Sequence, residues 1–225
     1  MLLRVGATNG RTGGKRMNPF QVVHDFERAL SDYTGAPYVV TVSSCTAALR
    51  LALRWWYLGH GEREWNVTVP TRTYPSVPMA VVWAGLRPLF AEMEWSGMYV
   101  LYPTQVRDAA KRLTGHMYCV GQFQCVSFHP QKPLGLSNGG GAILHDNAEA
   151  DVWFRRMRFD GRTEGIPTKD DEYTMIGEHC YMMPPTAAEG LQRLSIYARE
   201  YDHANQPSEL ELYPDLSKWA VFREA

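Results

Sequence analysis

The chain has 225 residues, 45% of them hydrophobic and 21% charged, with a formal net charge of -1. That balance is ordinary for a globular protein and gives no electrostatic case for nucleic acid or an anionic membrane surface. No apolar run approaches the roughly 18–20 residues of a membrane helix, and the first residues lack a signal-peptide core.

Residues 1–17, rich in glycine and basic residues, read as an extended arm. Asn18 and Pro19 predict a helix start. Phe20, Val23, Phe26, Ala29, Leu30 and Tyr33 then recur at helical spacing as far as Gly35. Pro37 to Val42 is a strand by composition. It runs into Ser43-Ser44-Cys45-Thr46 and an apolar helix from Ala47 to Trp56 that ends near Gly59. Strand, hydroxyl-rich turn and helix start have the geometry of an anion site, because the first amides of a helix lack an intrahelical acceptor. Capping by Ser43 or Ser44 explains the same residues without a ligand.

Asn66 to Pro70 is a second strand, followed by the loop Thr71-Arg72-Thr73-Tyr74-Pro75, an apolar helix over 77–84 and a strand from Arg87 to Phe90. Trp95-Ser96-Gly97 reads as a turn and Tyr99 to Val106 is of mixed character. Asp108 is expected to open a short helical piece, Ala109 to Leu113. A buried strand, Gln124 to Phe128, breaks at Pro130. A glycine-rich turn, Gly139-Gly140-Gly141, precedes the strand Ala142-Ile143-Leu144.

Lys132 lies between these two strands. A desolvated ammonium loses its proton more easily and becomes a nucleophile toward carbonyl groups, although a solvated loop lysine is the simpler reading of this stretch alone. Asp146 or Asn147 caps a helix through about Phe159. The polar segment 160–183 reads as a long surface loop, and Arg158, Arg162, Lys169 and His179 are candidate contacts for an anionic substrate. Thr186 to about Tyr197 is a last helix, and the tail 200–225 is expected to be weakly structured.

Four cysteines (Cys45, Cys119, Cys125, Cys180) form no disulfide framework and read as reduced thiols, which points to the cytoplasm. Cys119, Cys125 and His129 do not have zinc-ligand spacing, and no metal is expected. Helices alternating with short apolar strands make the class α/β with a mainly parallel sheet. Ligands in such sheets bind at the carboxyl ends of strands, where Ser43 to Thr46, Tyr74 and Asp108 fall.

Taken in order, these stretches resemble the DegT/DnrJ/EryC1/StrS family of sugar aminotransferases over roughly residues 18–195. Phe26-Glu27-Arg28-Ala29-Leu30 with Tyr33-Thr34-Gly35-Ala36 looks like the family's opening helix. Ser43-Ser44-Cys45-Thr46-Ala47-Ala48-Leu49 is similar to its S-S-G-T-A-A-L turn, and Val69-Pro70-Thr71-Arg72-Thr73-Tyr74 to its V-P-x-x-T-F. Asp108-Ala109-Ala110 resembles D-x-A-Q. Ser127-Phe128-His129-Pro130-Gln131-Lys132, followed by Gly140-Gly141-Ala142, resembles S-F-H-x-x-K and its G-G-A. Met182-Met183 and Ala187-Ala188 to Leu194 look like the helix after the substrate loop.

The resemblance implies a three-layer sandwich, the large domain of a fold type I pyridoxal-phosphate (PLP) transferase. On that basis residues 18–199 form the PLP-binding domain, between the arm 1–17 and a short tail 200–225. Lys132 would form the Schiff base with PLP, and Asp108 would pair with the pyridine nitrogen. Tyr74 would stack on the ring. Ser44, Cys45, Thr46 and Ser127 would hold the phosphate, with Lys111 nearby. Arg162, His179 and His129 would contact substrate. The implied reaction moves an amino group from glutamate or glutamine to a keto sugar, nucleotide-linked, in a homodimer. Two alternatives remain open at this point: decarboxylation or elimination on another amine, and a cofactor-binding homologue without turnover.

The chain also departs from the pattern. Cys45 replaces a glycine, Lys111 replaces the usual Gln or His, and Gly139 stands where G-E-G-G has Glu. Arg158-Phe159-Asp160-Gly161 lacks the asparagine that in the family often helps hold the neighbouring subunit's phosphate. The stretch from Phe90 to Asp108 is too short for the family's strand–helix–strand segment, and the C-terminal small domain is expected to be missing or vestigial.

Overall fold

The computed structural model describes residues 18–61, 63–200 and 210–222. The expected arm, residues 1–17, lies outside them. In chain order the elements are α1 (Gln21–Thr34), β1 (Tyr38–Val42), α2 (Cys45–Gly59), β2 (Asn66–Pro70), α3 (Ser76–Trp83) and β3 (Arg87–Ala91). β4 (Tyr99–Val100), β5 (Val106–Asp108), β6 (Phe123–Ser127), β7 (Gly141–His145), α4 (Ala148–Met157) and α5 (Pro184–Glu200) follow. No helix among the described residues is long and apolar enough to cross a membrane.

Five strands pair in the order β1-β7-β6-β5-β4, and β2 and β3 form a separate parallel pair. The sheet is mixed, where a mainly parallel one was expected. β7 is antiparallel to both β1 and β6, so β1 and β6 share a direction, and β5 runs parallel to β6. The reversal of β7 follows from its connection. The loop 128–140 contains no crossover helix, and a strand returning without one lies antiparallel to its predecessor. β4 opposes β5 for the same reason, as a hairpin. The backbone N–H of Thr68 donates to the Tyr102 carbonyl at 2.7 Å, so the hairpin turn joins the edge of β2 to the larger sheet.

Every residue of β6 and β7 is buried. Successive side chains of a strand point to opposite faces, so a strand apolar at every position needs cover on both. Cys125 and Ile143 join one cluster with α2, α3 and Phe154 of α4. Val126, Ala142 and Leu144 join a second with Phe26 and Leu30 of α1 and Ala187 and Leu194 of α5. The result is the expected α/β three-layer arrangement. Gly35 ends α1 in the left-handed conformation at φ 78°, which a residue without Cβ adopts without strain.

Some local expectations are corrected. Asn18 caps a turn, accepting from the Phe20 N–H at 3.0 Å, and α1 begins three residues later. No helix follows Asp108, because the Ala109 N–H stays bonded to the Cys125 carbonyl at 2.9 Å and keeps the chain on β6. Arg158 does not reach for a substrate. It is 1% exposed, and its Nη1 lies 2.5 Å from Glu27 Oε1 and 2.5 Å from the Thr41 carbonyl. The reason is Glu27, a carboxylate buried inside α1 that requires partners; Arg155 supplies another at 2.7 Å.

The tail is also more ordered than expected. Residues 210–222 form three short 3-10 turns. Leu216 is fully buried and its N–H donates to the Thr71 carbonyl at 2.9 Å, while the rings of Phe222 and Phe90 meet at 5.8 Å.

Candidate functional site

β1, β5 and β6 point their carboxyl ends the same way, and a cleft of about 850 Å³ opens there. Its lining comes from separate stretches of sequence. Ser43 to Thr46 arrive from the β1–α2 turn, Tyr74 and Ser76 from the segment after β2, and Asp108 and Lys111 from the end of β5. Ser127 ends β6, His129 and Lys132 follow it, and Gly139 and Gly140 precede β7. Lys132, Asp108, Tyr74, Ser44, Cys45, Thr46, Ser127, Lys111 and His129 therefore face one space.

The start of α2 forms one wall. Ser44 is its N-cap, with Oγ accepting from the Ala47 N–H at 3.1 Å. The Thr46 hydroxyl lies 2.8 Å from that of Ser76. The Cys45 thiol donates to the Cys125 carbonyl at 3.5 Å, beneath the helix start. Desolvation, and then the charge of Asp108, push that thiol well above its ordinary pKa, so it stays neutral. The facing strand comes close to this helix start. A Cβ on Gly141 would lie 2.5 Å from the Cys45 nitrogen and 2.6 Å from the Ser44 carbonyl carbon.

Asp108 forms the floor. Its Oδ1 accepts from the Ala110 N–H at 2.9 Å, and its Oδ2 accepts from the Tyr99 hydroxyl at 2.8 Å. Burial raises its pKa, and the Ala110 N–H, the Tyr99 hydroxyl and the Lys132 ammonium pull it back down. Lys132 is half-buried on the loop beyond β6, with its backbone N–H on the His129 carbonyl at 2.8 Å. It lines the same cleft as Cys45 and Asp108, and its charge lowers the pKa of both. Tyr74 is 59% exposed, an aromatic face at the cleft mouth.

Arg162 and His179, expected as substrate contacts, are not among the lining residues. His179 pairs with Asp160 at 2.9 Å, and the Arg162 guanidinium lies over the Phe159 ring at 5.3 Å. Sequence reading missed Tyr99 and Thr73 behind Asp108, and Leu212 and Tyr213 on the rim. Tyr99 sits in a stretch without clear periodicity. Leu212 and Tyr213 belong to a polar tail that is tied to the cleft by contacts distant in sequence, among them Tyr213 with Arg72 and with Trp95.

The model of the DegT/DnrJ/EryC1/StrS aminotransferase family matches residues 11–120 and 111–210. The chain belongs to the DegT/DnrJ/EryC1/StrS aminotransferase family. A relative, the UDP-4-amino-4,6-dideoxy-N-acetyl-beta-L-altrosamine transaminase of Campylobacter jejuni, is 24% identical over 85% of this chain and 58% of its own. A DegT DnrJ EryC1 StrS aminotransferase from Brucella abortus superposes with a TM-score of 0.66 at 22% identity, over 80% of this chain and 60% of that one. NtdA from Bacillus subtilis with bound cofactor PMP gives a TM-score of 0.61 at 19% identity, over 79% and 48% respectively. The chain thus spans about half to three fifths of the length of these proteins. At such identities the structural matches speak for the fold, which is that of the PLP-dependent aminotransferase large domain.

Proposed function

We propose that this chain binds PLP in the cleft and transfers an amino group from glutamate or glutamine to a keto sugar, nucleotide-linked. The observation that carries the reading is the meeting of Lys132, Asp108, Tyr74 and the α2 start around one cleft. The donor set fits the cofactor. An anion cradle at a helix start suits a phosphate, a buried carboxylate held by two donors suits a protonated ring nitrogen, and an exposed aromatic face suits a flat heterocycle. The name of the Campylobacter relative supports a nucleotide-linked amino sugar as product.

When bound, PLP supplies an electron sink for the negative charge that develops at the carbon bearing the amino group. The Lys132 amine would hold the cofactor and, once freed by the amino donor, would move a proton between the Cα of the bound donor or acceptor and the cofactor. Asp108 keeps a proton on the ring nitrogen. Ser44, Cys45, Thr46 and Ser127 orient the phosphate through amides and hydroxyls. Lys111 adds positive charge to the cleft, and His129 lies within it to contact substrate. The four free thiols support a reducing compartment, the cytoplasm. A homodimer with the cleft at its interface is the expected assembly for this fold, and residues 18–199 form its cofactor-binding unit.

The test is an absorbance spectrum of the purified chain with PLP, beside Lys132→Ala. A visible band in the wild type that is absent from the variant supports the lysine anchor. Conversion of glutamate to 2-oxoglutarate in the presence of a keto-sugar nucleotide supports the transfer. The same spectrum from both proteins would overturn the assignment of Lys132.

A further inference from the structure

We propose that Tyr99, held by Thr73, is the positioning residue for the Asp108 carboxylate. This rests on the reading of the cleft as a PLP site and adds a residue that none of the recognised motifs contains.

Tyr99 and Asp108 are directly opposed partners in the β4–β5 hairpin. The Tyr99 hydroxyl donates to Asp108 Oδ2 at 2.8 Å, and the Thr73 hydroxyl lies 2.6 Å from the same phenol oxygen. A phenol has one hydrogen. Since that hydrogen is committed to Asp108, Thr73 must be the donor to Tyr99, and the relay runs Thr73 to Tyr99 to Asp108. All three side chains are buried. The Trp95 ring packs on Tyr99 with centroids 4.9 Å apart and limits movement of the phenol.

This arrangement does two things for Asp108. Donors on Oδ2 and Oδ1 fix the rotation of the carboxylate and leave each oxygen a lone pair for a third donor in the cleft. They also favour the ionised form in a buried site where desolvation disfavours it. Without Tyr99, Asp108 keeps one fixed donor and loses both its set rotation and part of its charge stabilisation. Thr73 immediately precedes Tyr74, so the same loop ties the carboxylate beneath the proposed ring site to the aromatic above it. The residue comes from the shortened stretch between Phe90 and Asp108. The hairpin found there supplies Asp108 with a cross-strand phenol.

The experiment uses the full chain reconstituted with PLP and reads cofactor affinity and the pH dependence of the bound-cofactor absorbance. Tyr99→Phe removes one oxygen and keeps the ring against Trp95. It is expected to weaken PLP binding about tenfold, and to move the pH midpoint of the visible band by about one unit. Thr73→Val shifts both in the same direction by less. In an Asp108→Asn background, Tyr99→Phe changes PLP affinity less than about twofold, because the two residues act as one unit. A Tyr99→Phe protein that binds PLP as tightly as the wild type, with the same pH midpoint, overturns the proposal. So does a loss of equal size with and without Asp108, which marks a purely structural role. Failure of the wild type to bind PLP is a different result: it sinks the cofactor reading itself, and this inference with it.

Discussion

Glu27 and His24 lie on α1, and neither is among the residues lining the cleft. Burial alone would raise the Glu27 carboxyl, but Arg158, His24 and Arg155 outweigh it and hold it well below the usual carboxylate range. His24 lies 2.6 Å from Glu164 and 3.6 Å from Glu27. Hydrogen bonds to those two carboxylates raise its pKa from 6.5 to about 9 against a smaller opposing effect of burial. The sign follows from linkage. A raised folded-state pKa means the folded protein binds the proton more tightly, so the stabilisation is fully present below about 6.5 and is lost as pH rises through about 9. Melting temperature should therefore fall between those limits in the wild type, and His24→Gln should flatten that part of the profile. Parallel curves for the two proteins would show that His24 is not the group responsible. In the sequence, Glu27 reads as one more charge on an amphipathic helix, because only the packing of α4 against β1 reveals where its partners are.

At the scale of elements, α2, β2, α3, β3, β6 and β7 were legible to within a residue or two at most of their ends. Each is apolar and bounded by glycine, proline or a capping hydroxyl, so local chemistry decides it. β4 and β5 were not legible. They are two and three residues long and exist through pairing with each other and with β6, which is tertiary information. The site divides the same way: the motif residues Lys132, Asp108 and Tyr74 were legible, whereas Tyr99 was not. Gly141 offers a test of the packing between elements. An alanine Cβ there meets the backbone of the Ser44–Cys45 link, with the Cys45 nitrogen at 2.5 Å and its Cα at 2.8 Å, and backbone cannot swing aside. Gly141→Ala should displace the α2 start, weaken PLP binding more than about tenfold and cost about 1–3 kcal/mol of stability. Gly59→Ala, at the far end of α2 where an added Cβ meets nothing within 4 Å, should leave both nearly unchanged. Equal PLP affinity in the two variants would show that the close approach of β7 to the helix start does not shape the cradle.

At the scale of the molecule, residues 210–222 join the β2–β3 pair to the rim of the cleft. Arg72 donates from its side chain to the Tyr213 carbonyl at 2.9 Å and pairs through its backbone with Asp215 in an isolated antiparallel β-bridge, while Leu216 and Phe222 fill space beside Thr71 and Phe90. Trp95 closes the assembly, with its indole N–H on the Arg72 carbonyl at 3.0 Å and its ring 6.0 Å from Tyr213. Three attachments on one loop make this segment part of the folded unit, and its Leu212 and Tyr213 form cleft wall that the family motifs do not supply. If so, Leu216, fully buried, behaves as a core residue although it lies in a polar stretch of sequence. Leu216→Ala should then lower the unfolding free energy by about 2–5 kcal/mol in urea titration, the cost of a large-to-small change in a packed interior. A loss below about 0.5 kcal/mol is what a surface substitution gives, and would mean that the segment rests on the β2–β3 pair without contributing to its stability. A loss in the core range, with weaker PLP binding in the same variant, would tie the rim of the cleft to the fold that carries Tyr74.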